Sequence, residues 1–478
     1  MLMKKINLFF LVIMLFIIGG ATIGFYFYKI TTEENLLSCP GCNVLIIAFD
    51  AEQAKHVSSL GYSKLTTPTQ DALAKKGFLF TNAIAQSSWT IPSFMSFFTS
   101  LYPSEHKLTN KFIEFSKDKK VINNFKNISP DKTTMAEVFK INGYQTAGFT
   151  GDAGVGAQFG YNKGFNVYVD SATPFAGFET SIPPALEWLK TNKDNKFFMF
   201  LHSYGDHGQY DPPIGYSKEF LDFNYAGPLK GGKEEQARLR EEGLAKGELN
   251  LTEADYKFWR ALYDEKIYNS DKQVGDFLKE FDKLGLSKNT IIIALADHGT
   301  EIGEHKKFDH GSTLYDELIN VPLIIKFPNN ISKIINSQVR AIDLMPTIIE
   351  ALGLKIDEKV KNQMQGQSLI SIMDGNETFG LDAFSETDYR NYTHKKSLRT
   401  VDGWKFIYTF ENNQKELYNI KSDPGETDNL MEKEPRIAYE LEQKLFDYIK
   451  NTGQDISLLK NTGCLPVYGE FCTEKLVK

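Results

Sequence analysis

Four uninterrupted apolar runs limit what this chain can fold into. Asn43-Val44-Leu45-Ile46-Ile47-Ala48-Phe49 ends on Asp50, Lys196-Phe197-Phe198-Met199-Phe200-Leu201 on His202, and Thr290 to Ala296 on Asp297-His298; Val321 to Phe327 is the fourth. A strand with one face in water alternates apolar and polar residues, whereas one covered on both faces does not. These runs therefore read as strands of a sheet with helices on both sides. Helical signals lie between them. A helix around Gln70 to Lys76 is closed by Gly77, and the capping box Thr134-Met135-Ala136-Glu137 opens a helix ending at Gly143. Gln145 to Phe149 reads as another strand, Pro183 to Lys190 begins a helix, and Thr252 to Leu284 is one long amphipathic helix or two in sequence. The alternation predicts an α/β fold, a doubly wound and mostly parallel sheet flanked by helices. Ligands of such sheets bind beyond the carboxyl ends of the strands, which is where Asp50, His202, Asp297 and His298 fall.

A second stretch joins them. In Ser87-Ser88-Trp89-Thr90-Ile91-Pro92-Ser93-Phe94 a hydroxyl stands two places before a proline, ahead of the apolar Phe94, Phe97, Phe98 and Leu101. Proline suits a first helical turn, so Thr90 stands at the mouth of a helix, where free N–H groups and the positive dipole end converge. Alone, this describes an ordinary N-cap. Beside the strand-end residues, with His207 and Asp206, His305 and His310 following, it describes a place for a nucleophilic oxygen. Mixed carboxylate and imidazole donors suit Zn, Mn or Fe, and oxygen donors suit Ca or Mg. A divalent ion (Mn, Zn or Ca) touching the Thr90 oxygen would favour its alkoxide form and offset the charge of an anionic ester.

The ends of the chain speak to compartment. Lys4 and Lys5 precede a charge-free apolar run, Ile6 to Tyr28, long enough to span a bilayer as a helix. Residues 1–30 thus read as a membrane anchor or signal segment, 31–42 as a tether, 43–375 as the main domain, 376–450 as a small α+β C-terminal subdomain, and 451–478 as a Cys-containing tail. The expectation is a single-pass cell-membrane protein whose main domain is periplasmic or extracellular. Cys39, Cys42, Cys464 and Cys472 fit disulfides in such a compartment, either Cys39–Cys42 and Cys464–Cys472 or pairs between the two ends. The net charge of −7 with no basic block excludes a nucleic-acid partner. Ser217 to Asn250, charged and glycine-dotted without clear periodicity, reads as a surface insertion or lid.

These motifs together resemble the sulfatase family, within the alkaline-phosphatase superfamily. The resemblance rests on Asn43 to Asp50, Gly61-Tyr62 with Thr67-Pro68, Ser87 to Pro103, Gly160 to Phe165, Phe200-Leu201-His202 through Asp206-His207 to Pro213, Ala296-Asp297-His298-Gly299, Gly303-Glu304-His305, His310-Gly311, Val321-Pro322-Leu323, Arg399-Thr400, and Leu417-Tyr418 through Thr427. It implies a divalent metal on Asp50, Asp297, His298 and Thr90, with Thr90 in the nucleophile position. It also implies that His202, His207 and His310 bind substrate oxygens, protonate the leaving group or hold a second metal. The chain departs from the family at four points. Thr90 stands where sulfatases carry the cysteine or serine that becomes formylglycine, Phe94 where they carry arginine, and Ala51 where a second aspartate is usual. The lysine–histidine pair has no match near Gly160 unless Lys163 substitutes. What remains resembles the threonine-nucleophile branch, the phosphoethanolamine and glycerol-phosphate transferases and phosphodiesterases. The expected activity is hydrolysis of a sulfate or phosphate ester on a glycan or lipid headgroup. The alternatives are transfer of a phosphoryl group to lipid or cell-surface glycan, and a silent family member that only binds anions or glycans.

Overall fold

The computed structural model describes residues 36–110, 126–208, 210, 219–221, 224–246, 248–375, 380–389 and 393–454. The apolar run Ile6 to Tyr28 and the cysteines Cys464 and Cys472 lie outside them. Among the described residues no helix is long and apolar enough to cross a membrane.

The main sheet has nine strands: β1 (Asn43–Phe49), β2 (Phe78–Ile84), β3 (Gln145–Thr150), β4 (Val167–Asp170), β5 (Phe197–Ser203), β6 (Thr290–Ala296), β9 (Asn320–Lys326), β10 (Lys333–Ile335) and β11 (Val339–Arg340). Its order is β10-β2-β9-β6-β1-β5-β3-β4, with β11 also on β2. Two short strands, β7 (Glu301–Ile302) and β8 (Phe308–Asp309), form a separate ribbon. The sheet is mixed: β9 runs antiparallel to both β6 and β2, while the other pairings are parallel. Strand β1 shows why its sequence does not alternate. Val44, Ile46 and Ala48 enter one core with Phe94, Phe97, Met135 and Phe139, while Leu45, Ile47 and Phe49 enter the opposite one with Phe178, Val274 and Phe277.

Helices Thr90–Thr99, Met135–Ile141 and Leu344–Leu352 contribute to the first layer, and Pro68–Ala74, Phe178–Asn192 and Glu253–Lys283 to the second. The capping boxes at Thr134 and Thr252 both form, and the long amphipathic segment is one helix. One sequence reading changes: the charged stretch Ser217 to Asn250 contains a helix, Lys233–Lys246. That helix escaped notice because its exposed face is almost wholly Lys, Glu and Arg, leaving little apolar periodicity to read.

The C-terminal unit is an antiparallel sheet, β12 (Ala383–Thr387), β13 (Lys395–Arg399), β14 (Trp404–Thr409) and β15 (Gln414–Asn419) in that order, with helix Pro435–Asn451 packed on Leu398, Phe406 and Leu417. Cys39 and Cys42 are disulfide-bonded to each other.

Candidate active site

Strand β1 lies between β5 and β6, with Phe49 opposite Ser203 on one side and Ala296 on the other. The carboxyl ends of three neighbouring strands therefore deliver Asp50, His202 and Asp297-His298 to one line. One ligand atom each from Asp50, Asp297 and His298 lies within 4.8 Å of the others. His298 Nδ1 faces the Gly299 carbonyl oxygen at 2.7 Å; donation there leaves Nε2 with a lone pair aimed at the cluster. That nitrogen is 3.4 Å from Asp297 Oδ2, 4.0 Å from Asp50 Oδ1 and 3.3 Å from Thr90 Oγ1.

Helix Thr90–Thr99 brings the threonine in. Trp89 is extended, so the chain turns into the helix at Thr90, where the first N–H groups have no intrahelical acceptor. Ser93 Oγ donates to the Asp297 carbonyl at 2.6 Å and ties the helix to the end of β6. Gly154 allows the neighbouring loop to close on this point, since a Cβ there would sit 2.9 Å from Thr90 Cγ2 and 2.7 Å from the Tyr204 hydroxyl.

The electrostatics are those of a cation site. Asp297 Oδ1 accepts from the backbone N–H of Ala51 and His298, but Asp297 Oδ2 and both Asp50 oxygens are buried with no hydrogen-bond partner among the described residues. Burial, and then Asp297, push Asp50 far above the carboxylate range, and burial pushes Asp297 up to about 8. Burial, and then His310, hold His298 well below the usual imidazole value. Unpaired buried carboxylates side by side are costly; two of them with an imidazole lone pair and a hydroxyl fit a divalent cation.

The other histidines take distinct places. His202 is fully buried, its Nε2 3.6 Å from Asp50 Oδ2 and its ring packed among Phe94, Phe200 and Tyr204. Burial, and then His207, depress it to about 3. His310 stacks on His298 at 4.6 Å and meets His207 at 4.9 Å, so these rings form a row leading outward. His207 is likewise lowered to about 3, by burial and then His310. His305 stands apart, paired with Glu317 at 3.0 Å and stacked on Tyr315. Asp206 is buried against the long helix, and burial lifts it to about 7. His56 is buried and bonded to Asp264 at 2.6 Å.

Phe94 sits in the core between Phe97, Phe200 and His202, so no arginine-like group enters from that position. Lys163 donates to the carbonyls of Pro130 and Lys132 and does not substitute for the missing lysine.

Sequence reasoning missed the residues behind the site. Asp309 Oδ1 holds His310 Nδ1 at 2.5 Å, and Arg240 of helix Lys233–Lys246 holds the other Asp309 oxygen at 3.4 Å. Burial raises Asp309, but His310 and Arg240 outweigh it and hold the carboxyl below its ordinary range. Tyr263 of the long helix donates to the Ala51 carbonyl at 2.6 Å and accepts from Gln53 N–H at 2.7 Å. It thereby fixes the turn just after Asp50, where Ala51 has φ +62°. The Asp-His dipeptide at 309–310 was a readable signal; Tyr263 and Arg240 had none.

Comparison with known proteins agrees with this geometry. Residues 42–354 match the sulfatase family model, and residues 303–451 match that of the N-sulphoglucosamine sulphohydrolase C-terminal region. The chain belongs to the sulfatase family. It is 23% identical over 471 residues to arylsulfatase K of Rattus norvegicus, covering 87% of this chain and 79% of the relative. It is 26% identical over 281 residues to an arylsulfatase of Clostridium perfringens, covering 54% of this chain and 56% of that relative's length. A solved structure in complex with its substrate D-glucosamine-2-N,6-O-disulfate superposes with a TM-score of 0.68 at 19% identity, covering 86% of this chain and 98% of that one. This sulfatase-family chain therefore shares the fold through its central sheet and its C-terminal sheet.

Proposed function

We propose that this protein is a metal-dependent hydrolase of sulfate esters with Thr90 as its nucleophile. The observation that carries the reading is Thr90 Oγ1 set 3.3 Å from His298 Nε2, beside the buried Asp50 and Asp297, of which both Asp50 oxygens and Asp297 Oδ2 lack hydrogen-bond partners among the described residues. A divalent cation bound by Asp50, Asp297, His298 and Thr90 would offset the ester's negative charge and raise the acidity of the threonine hydroxyl. Thr90 Oγ1, having given up its proton to water, attacks sulfur in line and forms the Thr90 sulfate ester. The bond to the leaving oxygen breaks, and His310, oriented by Asp309, supplies the proton to that oxygen, with neutral His207 beside it to bind a substrate oxygen. Water then cleaves the Thr90 ester and regenerates the hydroxyl. The sulfated sugar held as substrate by the structural neighbour supports a glycan ester here.

One observation favours a second reading, a phosphate ester. The β-carbon of Thr90 carries a methyl group and cannot become an aldehyde hydrate, and Phe94 fills the neighbouring position with an aromatic ring. On that reading an acceptor alcohol in place of water would make the protein a transferase. The N-terminal run Ile6 to Tyr28 supports anchoring with the active domain outside the cytoplasm; fractionation of cells expressing the full chain tests it. The chemistry is tested by measuring bound metal and assaying an aryl sulfate, a phosphate monoester and a phosphodiester beside Thr90→Ala. Turnover lost in the mutant supports the enzyme. Metal-free protein without turnover would leave only an anion- or glycan-binding member.

A further inference from the structure

Phe175 is out of place for a core residue. It is 42% exposed, and its φ of +62° lies in the left-handed region that bulky side chains rarely enter. Hydrogen bonds fix the loop on either side of it. Ser171 N–H donates to Thr150 O at 3.0 Å, Ala176 N–H to Gly151 O at 3.2 Å, and Tyr204 N–H to Ala176 O at 3.0 Å. Gly151 is required there, since a Cβ would lie 2.2 Å from the Ala176 oxygen. The exposed ring is thus held in place, and held beside the site. Its centroid is 5.3 Å from Tyr204 and 5.1 Å from His207, the latter at a shallow 31° tilt. His207 leads to His310, His310 to His298, and His298 to the Thr90 oxygen. A continuous row of rings runs from solvent to the nucleophile, and Phe175 is its outer end.

We propose that Phe175 is a specificity-determining residue that seats a flat apolar face of the leaving group, an aryl ring or the C–H face of a pyranose. This rests on the reading of the site as an ester hydrolase: the imidazoles placed to protonate the leaving oxygen lie between Thr90 and Phe175, so the leaving group extends toward that ring. Aromatic faces stack on flat carbon surfaces but gain little from a methyl group.

The test uses the full chain with Thr90→Ala, loaded with Mn²⁺, and reads Kd by calorimetry for phenyl, glucose 6- and methyl esters, each as sulfate and as phosphate. The ring-bearing esters are expected to bind more tightly than the methyl ester. Phe175→Ala should weaken them about 3- to 10-fold while methyl ester affinity stays within about twofold, and Phe175→Tyr should restore the difference. Phe175→Leu, which keeps bulk without a flat face, should behave like the alanine variant and covers the case in which the latter folds poorly. Whether phenyl or glucose shows the larger loss identifies the ring. Equal weakening of all three esters, or no advantage for a ring in the parent, overturns the proposal. Turnover is read separately with Thr90 present: ring-dependent binding without turnover would overturn the hydrolase reading and leave the ring seat standing.

Discussion

Two buried clusters of charge in this molecule are built on opposite principles. In the C-terminal cluster, Asp316 takes Arg399 at 3.0 Å on one oxygen and Lys405 at 2.9 Å on the other, and Lys405 also reaches Glu426 at 2.8 Å. Burial raises Asp316, but the two cations outweigh it and hold the carboxyl below its ordinary range. At the strand ends, Asp50 and Asp297 are as deeply buried and no lysine or arginine is paired with them among the described residues, so both are displaced upward. The first cluster carries its own counter-charges and serves to join β13 and β14 to helix Asp316–Ile319. The second is arranged for a counter-charge from outside the chain.

That contrast can be broken at several points. The largest effect expected is on chemistry: Thr90→Ala should lower kcat by about 10⁴-fold or more, read as sulfate or phosphate release, with the folded state intact by circular dichroism. Next is Lys405→Met, which leaves Asp316 and Glu426 short of a cation in a dry interior; urea titration should show a loss of about 3–5 kcal/mol. The same kind of change at the strand ends should have the opposite sign. Asp50→Asn in chelator-treated protein removes a carboxylate repelled by Asp297 and should raise stability by about 1–3 kcal/mol, while abolishing the rise in Tm that Mn²⁺ gives the parent. Destabilisation of the metal-free protein by this variant would contradict the distinction drawn above.

A buried histidine that belongs to neither cluster gives the pH reference. His106, beside Ser96 Oγ and the Pro92 carbonyl, is lowered to about 3 by burial. The unfolded chain takes up this proton below about 6.5 and the folded one does not, so stability should fall as pH drops from about 6.5 toward 3, by about 1.4 kcal/mol per unit. His106→Gln should flatten that slope in thermal melts. The smallest effect expected is at Tyr263→Phe, which frees the Ala51 turn: about 1 kcal/mol of stability and roughly a tenfold loss of Mn²⁺ affinity by equilibrium dialysis.

The sequence was most legible where one physical cause acts alone. Strands covered on both faces show as unbroken apolar runs, and their last residues, Asp50, His202, Asp297 and His298, were readable from the rule that sheets bind ligands at that edge. It was least legible where tertiary contact assigns the role. Arg240 lies in a stretch whose charges mask its helix, and Tyr263 is one aromatic among many on a long amphipathic segment. Phe175 sits in a loop without periodicity, so nothing local marks it. The reversal of β9 was equally hidden, because a strand covered on both faces looks the same in either direction.

The adjacency of β6, β1 and β5 has a mechanical consequence. Their paired backbones hold the ligand-bearing ends in one lattice, so Asp50 cannot drift from Asp297 or His202 unless the middle of the sheet melts. Amide exchange at Phe49 and Ala296 should then proceed only through global opening, with the inorganic end of the reaction kept invariant. On the proposal made above, accommodation of differently shaped esters falls to the loop that carries Phe175.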